Sequence, residues 1–399
     1  MEMSHGPRHS SYDVAVLGGG VVGLACAWRA RQRGFSTVLV ERERAGAGAS
    51  GVAAGMLAPV TEADFGEQAL LGLNLAGLER WPSFAAELSE RSGLGTALRD
   101  SGALVVAADR DDAEDLRRLA DLQSSLGLDA RWLSGRDCRR LEPGLSPRVP
   151  GGIEAPREGH VDPGATVEAL RAAFLAAGGE LLEGIGAEEI ELDAAGSQVA
   201  GVVLGNGERV EVERVVGAAG AWSGSLGGLP ADAVPPVRPV KGQILTLHAG
   251  EGGARLAERL VRTPRCYVVT RADGRVVVGA TTEERGFDVR VTAEGVFRLL
   301  EAAGEVLPDV GELDFVAARA GLRPGTPDNA PVVGRTEIDG LLWATGHGRN
   351  GVLLAPITAE AVAACLSGQD GPAAIAPFAP DRFARNRTPV ATAAAVGER

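Results

Sequence analysis

Residues Tyr12–Arg42 read YDVAVLGGGVVGLACAWRARQRGFSTVLVER and contain the clearest structural signal in the chain. The run Val14–Leu17 is apolar without alternation, which predicts a strand buried on both faces of a parallel sheet. Three glycines with the spacing GxGxxG follow it, and this spacing permits a tight turn and close approach of the backbone to a pyrophosphate. These glycines are Gly18, Gly20 and Gly23.

The residues after the glycines complete a strand, helix and strand unit. Val22–Arg33 has the composition of a helix, and its N-terminal amides and dipole would face the phosphates. A second apolar strand, Thr37–Val40, leads to Glu41, which lies roughly 20 residues beyond the last glycine, where a carboxylate accepts ribose hydroxyls. The combination predicts a dinucleotide site, and the acid argues against NADP. The alternative is a βαβ unit that binds no nucleotide.

The composition of the chain indicates a globular protein of two domains. It has 399 residues, 45% of them apolar, which is enough to fill two cores. The net charge is −13 with no long basic run, so nucleic acid and anionic membrane surfaces are not expected as partners. The first eleven residues lack the apolar core of a signal peptide, and no transmembrane helix is predicted. Four scattered cysteines suit buried free thiols and a cytoplasmic location.

The segment Arg42–Pro59 is rich in Gly, Ala and Ser, but its apolar end distinguishes it from a solvated linker. Its small residues would let main-chain amides approach a ring system or a pyrophosphate, with Ser50 supplying a hydroxyl. Farther along, strands at 199–204 and 209–212 flank an Asn-Gly pair and predict a hairpin. A separate strand from Arg214 ends in small residues, which suits close passage beneath a nucleotide. Helices are predicted at 67–94, 111–126 and 165–177.

Four further stretches are characteristic: AAGML at 53–57, PVKG at 239–242, AGLRPGT at 320–326 and GHGRNGVLLAP at 346–356. Together with the glycine loop they resemble the FAD-dependent amine and amino-acid oxidases typified by D-amino acid oxidase. Within that family they are most similar to the glycine oxidases of thiamine biosynthesis. The resemblance covers nearly the whole chain, from Tyr12 to about Phe378, and the last two stretches are the most specific.

This resemblance implies an α/β fold in which a Rossmann-like FAD-binding domain accompanies an α+β substrate domain with an antiparallel sheet. The FAD would be non-covalent, because no cysteine or histidine matches the attachment sites of covalent flavoenzymes. The FAD-binding domain is expected to be discontinuous, at 12–80, 148–232 and 328–378. The substrate domain is expected at 81–147 and 233–327, with flexible tails at 1–11 and 383–399.

The resemblance also assigns residues to the cofactor. The first glycine loop and the strand end after it would hold the ADP half, and Ala187 would contact the adenine through its backbone. The second glycine loop would surround the flavin ring, with a helix N-terminus directed at the charge of the reduced ring. The expected cofactor residues are Gly18, Gly20, Val21, Val22, Gly23, Glu41, Arg42, Ala49, Ser50, Ala54, Gly55, Met56, Ala187, Gly220, His347, Gly348, Arg349, Asn350, Gly351, Val352 and Leu353.

Three side chains are candidates for substrate binding and catalysis. Arg323 precedes a proline, so extended or turning backbone is expected there, and its guanidinium can hold a carboxylate with two parallel hydrogen bonds. The alternative for this residue is an ion pair between domains. Tyr267 lies in an alternating strand where its hydroxyl would face a cavity, or else it is an ordinary half-buried strand residue. By resemblance, Arg349 lies beside the flavin and the substrate.

These assignments predict oxidation of glycine, sarcosine or small D-amino acids to the imine, with O2 reduced to H2O2. The imine would supply thiamine thiazole synthesis or hydrolyse. Alternatives are a dehydrogenase with another electron acceptor and a flavin-binding subunit without turnover of its own. Gly348 and Arg265 are departures from the family pattern that bear on substrate size. No metal is expected, and a homo-oligomer is expected because family members often associate.

Overall fold

The computed structural model describes residues 11–250, 253 and 255–383. Two eight-stranded sheets and seven helices make up most of this part of the chain. The helices are α1 (Val21–Gln32), α2 (Gln68–Ser92), α3 (Arg110–Ser125), α4 (Gly135–Leu141), α5 (Pro163–Ala176), α6 (Ala293–Val306) and α7 (Gly351–Leu366). The strands are β1 (Ser11–Leu17), β2 (Thr37–Glu41), β3 (Met56–Leu57), β4 (Ala103–Val106), β5 (Arg131–Ser134), β6 (Gly151–Ala155), β7 (Gly159–His160), β8 (Glu180–Glu183), β9 (Ala187–Leu192), β10 (Val199–Leu204), β11 (Arg209–Gly217), β12 (Arg238–His248), β13 (Leu260–Arg262), β14 (Tyr267–Thr270), β15 (Arg275–Gly279), β16 (Asp314–Gly325), β17 (Val332–Arg335) and β18 (Leu341–Thr345).

The first sheet is built around β1. Its strand order is β17, β18, β11, β1, β2, β8, and the hairpin partners β10 and β9 extend it from β11. β1 pairs in parallel with both β2 and β11, as expected of an apolar strand that is buried on both faces. The carboxyl ends of these parallel strands meet at one edge, which is where open α/β sheets bind ligands.

The second sheet is largely antiparallel, with the order β16, β12, β15, β14, β13, β4, β6, β5. β16 is one of the two edge strands of this sheet. It pairs with β12 along almost its whole length, and this pairing fixes its register. Helix α6 packs against this sheet and buries Leu299, Ala303 and Val306 in its core. A small antiparallel ribbon of β3 and β7 forms a third sheet.

Helices α1, α2, α5 and α7 cover the first sheet and share one large apolar core. Trp28, Trp81 and Phe84 meet in this core in edge-to-face geometry. Helix α7 is apolar around its whole circumference because it is enclosed by other elements. The segment Gly348–Leu366 is long and apolar enough to cross a membrane by length and composition, but 78% of that window is buried inside the protein.

The α/β fold and the main elements agree with the sequence prediction. Two of the differences concern β11 and α6. β11 is one continuous strand from Arg209 to Gly217, whereas the pattern had suggested a hairpin strand followed by a separate one. Helix α6 has no counterpart among the predicted elements, although Thr292 caps it through the amide of Gly295.

The domain boundaries stay a prediction. The strand β6 pairs with β4 and β5 in the second sheet, although the predicted boundary at 148 places it in the FAD-binding domain. Helix α2 runs across the predicted boundary at 80, and its second half packs in the core of the first sheet. The predicted flexible tails lie outside the described residues, apart from Ser11, which begins β1, and Phe383.

Candidate functional site

A cleft with a volume of about 610 Å³ runs from the carboxyl ends of the first sheet to the face of the second. Such a volume lies within the usual range of cofactor and ligand sites. It contains almost all of the residues that the sequence assigns to cofactor and substrate. Those lining it are Gly18, Gly20, Val21, Val22, Gly23, Glu41, Arg42, Ala49, Ser50, Ala54, Gly55, Met56, Ala187, Gly220, Tyr267, Arg323, His347, Gly348, Arg349, Gly351 and Val352.

Two assigned residues do not line the cleft. Asn350 is buried at the start of α7, and its amide donates to the carbonyl of His347. Leu353 is buried in the core that the helices share, and its carbonyl accepts a hydrogen bond of 3.0 Å from the indole of Trp81. Both residues are therefore buried away from the lining of the cleft, although their neighbours Gly351 and Val352 belong to it.

The first glycine turn leaves no room for side chains. A Cβ on Gly23 would lie 1.9 Å from the carbonyl oxygen of Gly18, and one on Gly18 would lie 2.4 Å from that of Ala218. Gly18 also has φ +113°, which L residues with side chains rarely adopt. The backbone of β1, α1 and the end of β11 is therefore in direct contact at this turn.

Helix α1 presents unpaired amides to the cleft. The amide of Val21 donates to the hydroxyl of Ser50 over 2.9 Å, so that hydroxyl keeps its own proton available. The amides of Val22 and Gly23 have no acceptor in the part of the chain that the structure describes. Orphan amides at a helix N-terminus, together with the helix dipole, form an anion site suited to a pyrophosphate.

Glu41 stands at the end of β2, as the spacing predicts. Its carboxylate accepts from the amide of Gly19 over 2.6 Å and from the amide of Glu43 over 3.0 Å. These bonds fix the carboxylate at the mouth of the nucleotide end while leaving lone pairs for ribose hydroxyls. Next to it, the Arg42 guanidinium lies 3.6 Å from the ring centroid of Trp222, which also lines the cleft.

The second glycine loop connects β18 to α7. His347 is 3% exposed, and its Nε2 lies 2.9 Å from the hydroxyl of Thr358 on α7. Burial lowers the pKa of His347 to about 3, so the imidazole is neutral at physiological pH. Gly346 has φ +73°, and a Cβ there would lie 2.6 Å from a methyl group of Thr326. The loop is thus fastened to α7 and to the end of β16.

Arg323 lies in extended backbone on β16 and reaches over β12. Its guanidinium packs where a side chain on Gly242 would be, and Nη1 donates to the carbonyl of Thr281 over 3.0 Å. Among the described residues, no carboxylate lies within 4.0 Å of it, so the interdomain ion pair that was the alternative is not formed there. Its remaining N–H groups are available to a ligand.

Tyr267 faces the same end of the cleft from β14. Its ring passes over Gly279, where a Cβ would lie 2.3 Å from the phenol oxygen. Burial raises the pKa of Tyr267 to about 12, although the nearby charge of Arg323 acts in the opposite direction. The phenol is therefore a neutral hydrogen-bond donor beside a guanidinium.

Arg349 lines the cleft but is already engaged. Its Nη2 donates to the Glu67 carboxylate over 2.9 Å, and its Nε lies 3.7 Å from the Glu62 carboxylate. On the other side of Glu62, Arg262 lies 3.3 Å away and donates to the carbonyl of Thr61 over 2.6 Å. Glu62, 9% exposed in its side chain, thus stands between two arginines at the substrate end.

The sequence reasoning missed Glu62, Arg262 and Trp222. No sequence pattern near Glu62 indicates a functional site. Its ion-pair partners at the cleft, Arg262 and Arg349, lie about 200 and 287 positions away in the chain. Arg262 stands five residues before Tyr267 on a neighbouring strand, which antiparallel pairing places next to it. Trp222 follows the predicted nucleotide strand directly, and the scarcity of aromatics in this chain is a signal for it.

The cleft fits FAD by its own geometry. One end has a glycine cradle, orphan helix amides and a fixed carboxylate, which match a pyrophosphate and a ribose. The other end has a guanidinium with no carboxylate partner among the described residues, and a neutral phenol. No cluster of three or more histidine, cysteine, aspartate or glutamate side chains suited to a metal occurs in residues 11–250, 253 and 255–383. The four cysteines are free thiols.

Comparison with known proteins agrees with this geometry. A model of the family described as FAD dependent oxidoreductase (DAO) matches residues 13–365. Glycine oxidase of Geobacillus kaustophilus is 33% identical over 369 residues, which cover 92% of this chain and 96% of that protein. A crystal structure of glycine oxidase from Geobacillus kaustophilus matches with a TM-score of 0.87, over 94% of this chain and 99% of that one. The resemblance seen in the sequence is confirmed.

Two further relatives have other names. The bifunctional protein ThiO/ThiG of Synechocystis sp. is 34% identical over 381 residues, which cover 94% of this chain and 55% of that protein. The hydrogen cyanide synthase subunit HcnC of Pseudomonas aeruginosa is 29% identical over 418 residues, which cover 96% of this chain and 99% of that protein.

Proposed function

This chain belongs to the D-amino acid oxidase family of FAD-dependent oxidoreductases, and on that basis we propose that it oxidises glycine and similarly small amino acids. Sarcosine and small D-amino acids belong to the same proposed substrate class. Each substrate loses two electrons and two protons to give the imine, and O2 takes them up to give H2O2. FAD, when bound, supplies the acceptor for the hydride equivalent from the substrate carbon.

The main support for the proposal is that the Arg323 guanidinium has hydrogen-bond donors available to a substrate carboxylate. Four arginines line the substrate end of the cleft, and only Arg323 lacks a carboxylate partner among the described residues. A guanidinium with free N–H groups, close to a neutral phenol, binds one carboxylate in a fixed orientation. Tyr267, whose pKa is raised to about 12 by burial, donates to that carboxylate and does not repel it.

The other three arginines explain why the substrate should carry a single carboxylate. Arg262 and Arg349 are balanced by Glu62 and Glu67, and Arg265 at the mouth is paired with Glu305. A second carboxylate would have to displace one of these ion pairs and leave its acid unpaired. The charges therefore favour glycine over a dicarboxylic amine of similar length.

Among the described residues, the substrate end of the cleft offers no free base for the substrate amine. His347 is neutral, but burial lowers its pKa to about 3 and its Nε2 is bonded to Thr358. Glu62 is occupied by two arginines. We infer that the amine binds without its proton and that the work of the protein is orientation, with Arg323 and Tyr267 fixing the carboxylate so that the Cα–H bond faces the ring.

The decisive experiment is anaerobic addition of glycine to the purified protein while the flavin absorbance is followed. Bleaching by glycine that reverses with release of H2O2 in air supports the oxidase. Bleaching that reverses only with a quinone or dye supports the dehydrogenase alternative. Flavin that no glycine, sarcosine or D-alanine reduces would refute the substrate assignment.

The relative named as a hydrogen cyanide synthase subunit supplies a second candidate, a flavin subunit that works within a complex. That candidate predicts cyanide from glycine only when partner proteins are present, whereas the oxidase needs none. We also propose, from the ThiO/ThiG relative, that the imine supplies thiamine thiazole synthesis. A cytoplasmic homo-oligomer that binds neither membrane nor nucleic acid completes the proposal.

A further inference from the structure

The segment Ala53–Leu57 enters the cleft through an incomplete ribbon. In the β3 and β7 ribbon, the amide of Val161 donates to the carbonyl of Gly55 over 2.9 Å. A regular antiparallel pair would return a bond from the amide of Gly55 to the carbonyl of Val161. That return bond is absent among the described residues, and Gly55 has φ +74°, which departs from the extended backbone of a strand.

Arg271 takes the place of the missing bond. It follows β14 of the second sheet, is 4% exposed, and reaches across to the β3 and β7 ribbon. Its Nη1 donates to the carbonyl of Val161 over 2.6 Å, and its Nη2 donates to the carbonyl of Ala54. Nη1 also lies 2.8 Å from Nδ1 of His160. One guanidinium therefore holds two carbonyls that flank the cleft-lining glycine.

Holding the Ala54 carbonyl fixes the direction of the next amide. In a trans peptide the C=O and the N–H point in opposite directions. With the Ala54 carbonyl drawn toward Arg271, the N–H of Gly55 points away from it, and Gly55 lines the cleft. Throughout the described part of the chain this N–H has no acceptor. A buried backbone donor without a partner is costly, so its position indicates a ligand acceptor.

The acceptor belongs to the ring end of FAD. Met56, the next residue, shares an apolar cluster with Tyr267 and Ala280, so this segment lies beside the substrate end and not beside the nucleotide end. We propose that Arg271 is a positioning residue that turns the Gly55 amide toward the flavin ring and so raises FAD affinity and the reduction potential. A donor at the ring stabilises the electron-rich reduced form more than the oxidised form.

The surroundings of Arg271 suit this role better than that of an ion-pair partner. No carboxylate lies within 4.0 Å of it among the residues described, and all of its bonded acceptors are neutral. Burial lowers the pKa of Arg271 to about 10, which still leaves it charged at physiological pH. Burial also lowers the pKa of His160 to about 4, so its ring is neutral and Nδ1 accepts from the guanidinium.

The test compares two arginines that both bind two backbone carbonyls. Arg31 donates to the carbonyls of Phe35 and Ala177 at the far end of α1, outside the cleft. Arg271→Lys and Arg31→Lys each keep a charge but lose the forked geometry. The measurements on the full chain are FAD dissociation constant from titration of the apoprotein, reduction potential of the bound flavin against a reference dye, and Tm.

We expect Arg271→Lys to raise the FAD dissociation constant about tenfold, the equivalent of one hydrogen bond, and to lower the reduction potential. Arg31→Lys should lower Tm but change neither flavin property. A folded Arg271→Lys protein with lower Tm but unchanged affinity and potential would overturn the proposal, because Arg271 would then be structural only.

A measurement on the unmodified protein keeps the proposal testable if the variants fail to fold. Hydrogen exchange of a peptide covering residues 53–57 should slow on FAD binding, since the Gly55 N–H gains an acceptor. Equal exchange in apoprotein and holoprotein would contradict the proposal. The inference rests on FAD binding and not on glycine as substrate, so it can fail while glycine oxidation holds, and the reverse.

Discussion

The nucleotide end and the substrate end of the cleft are built by different means. At the nucleotide end, backbone amides supply the phosphate site beside the Ser50 hydroxyl and the Glu41 carboxylate, and contacts between Gly18, Gly23 and Ala218 leave no space for a methyl group. At the substrate end they are charged side chains, several of which are paired with one another. Steric constraint therefore governs the first region, and charge balance governs the second.

This difference determines what kind of substitution each end tolerates. Packed backbone cannot yield to an added atom, because its neighbours are fixed by both the sheet and the helix. Paired side chains can exchange partners, so replacing one charged residue at the substrate end should affect substrate selectivity more than it affects folding. Four predictions test the contrast, from the largest expected effect to the smallest.

Gly23→Ala should weaken FAD binding by at least about 100-fold. Its Cβ would lie 1.9 Å from the carbonyl oxygen of Gly18, so α1 must move away from β1 at the point where the pyrophosphate binds. Overpacking of this kind costs about 3 kcal/mol, or roughly 100-fold in affinity, before the displaced amides are counted. Fluorescence titration of the apoprotein with FAD measures the effect.

Gly72→Ala is the control for this substitution. Gly72 lies exposed on α2, where an added Cβ meets no atom within 4 Å, and alanine favours a helix. Its FAD affinity should be unchanged. Equal affinities in the two variants would show that the turn is less tightly packed than the structure has it.

Arg323→Ala should raise KM for glycine roughly 100-fold while the bound flavin keeps its spectrum. The loss of a charge-assisted, two-point contact to the substrate carboxylate costs about 3 kcal/mol. Arg319→Ala on the same strand is the control, because Arg319 is exposed and does not line the cleft. An unchanged KM in Arg323→Ala would mean that another group holds the carboxylate.

The pH dependence of stability should originate beside the substrate end, at Glu158. This carboxyl is 1% exposed and accepts from the amides of Val60 and Thr61 and from the Thr61 hydroxyl, just before Glu62. Burial raises the pKa of Glu158 to about 7, against opposing effects of these hydrogen bonds. The folded protein therefore holds this proton more tightly than the unfolded chain does.

It follows that this group stabilises the fold fully below about pH 4.5 and loses that contribution as pH rises through 7. Between pH 5 and 7.5 the free energy of unfolding should fall by about 2 kcal/mol on its account. Denaturant titrations at several pH values measure this dependence. The free energy of unfolding should change less with pH in Glu158→Gln than in the unmodified protein. It should change as in the unmodified protein in Glu168→Gln, whose side chain is exposed on α5. A slope that persists in Glu158→Gln would assign the effect elsewhere.

Glu62→Gln should alter selectivity more than stability. It frees Arg262 and part of Arg349 at the substrate end, so a second carboxylate gains a partner. The ratio of kcat/KM for iminodiacetate to that for glycine should rise about fivefold, the equivalent of about 1 kcal/mol for a partly exposed pair. Glu67→Gln, which releases only Arg349, should give a smaller rise. No change in the ratio for either variant would contradict the charge-balance argument.

The same contrast explains what could be predicted from the sequence. Gly18, Gly23 and Glu41 lie in one βαβ unit, and their spacing alone encodes their geometry. Arg323 was predicted to lie in extended or turning backbone because a proline follows it, and β16 is extended there. Local sequence carries such constraints directly.

The rest depends on contacts between distant parts of the chain. Glu62 faces the cleft because Arg349 and Arg262 hold it, and nothing near it in sequence marks it as part of a site. Asn350 and Leu353 fall within a motif whose neighbours line the cleft, but both are buried away from the lining in the folded chain. The roles of the residues that do line the cleft stay predictions until the variants above are measured.

The position of β1 between β2 and β11 has a consequence for synthesis on the ribosome. β11 begins about 200 residues after β1 in a chain of 399, so the central strand of the first sheet has no neighbour on one side for about half of translation. At about 5–20 residues per second, that interval lasts on the order of 10–40 s. During this time Val14–Leu17 is an apolar strand with an open edge, which is the kind of segment that chaperones bind and that aggregates when they do not.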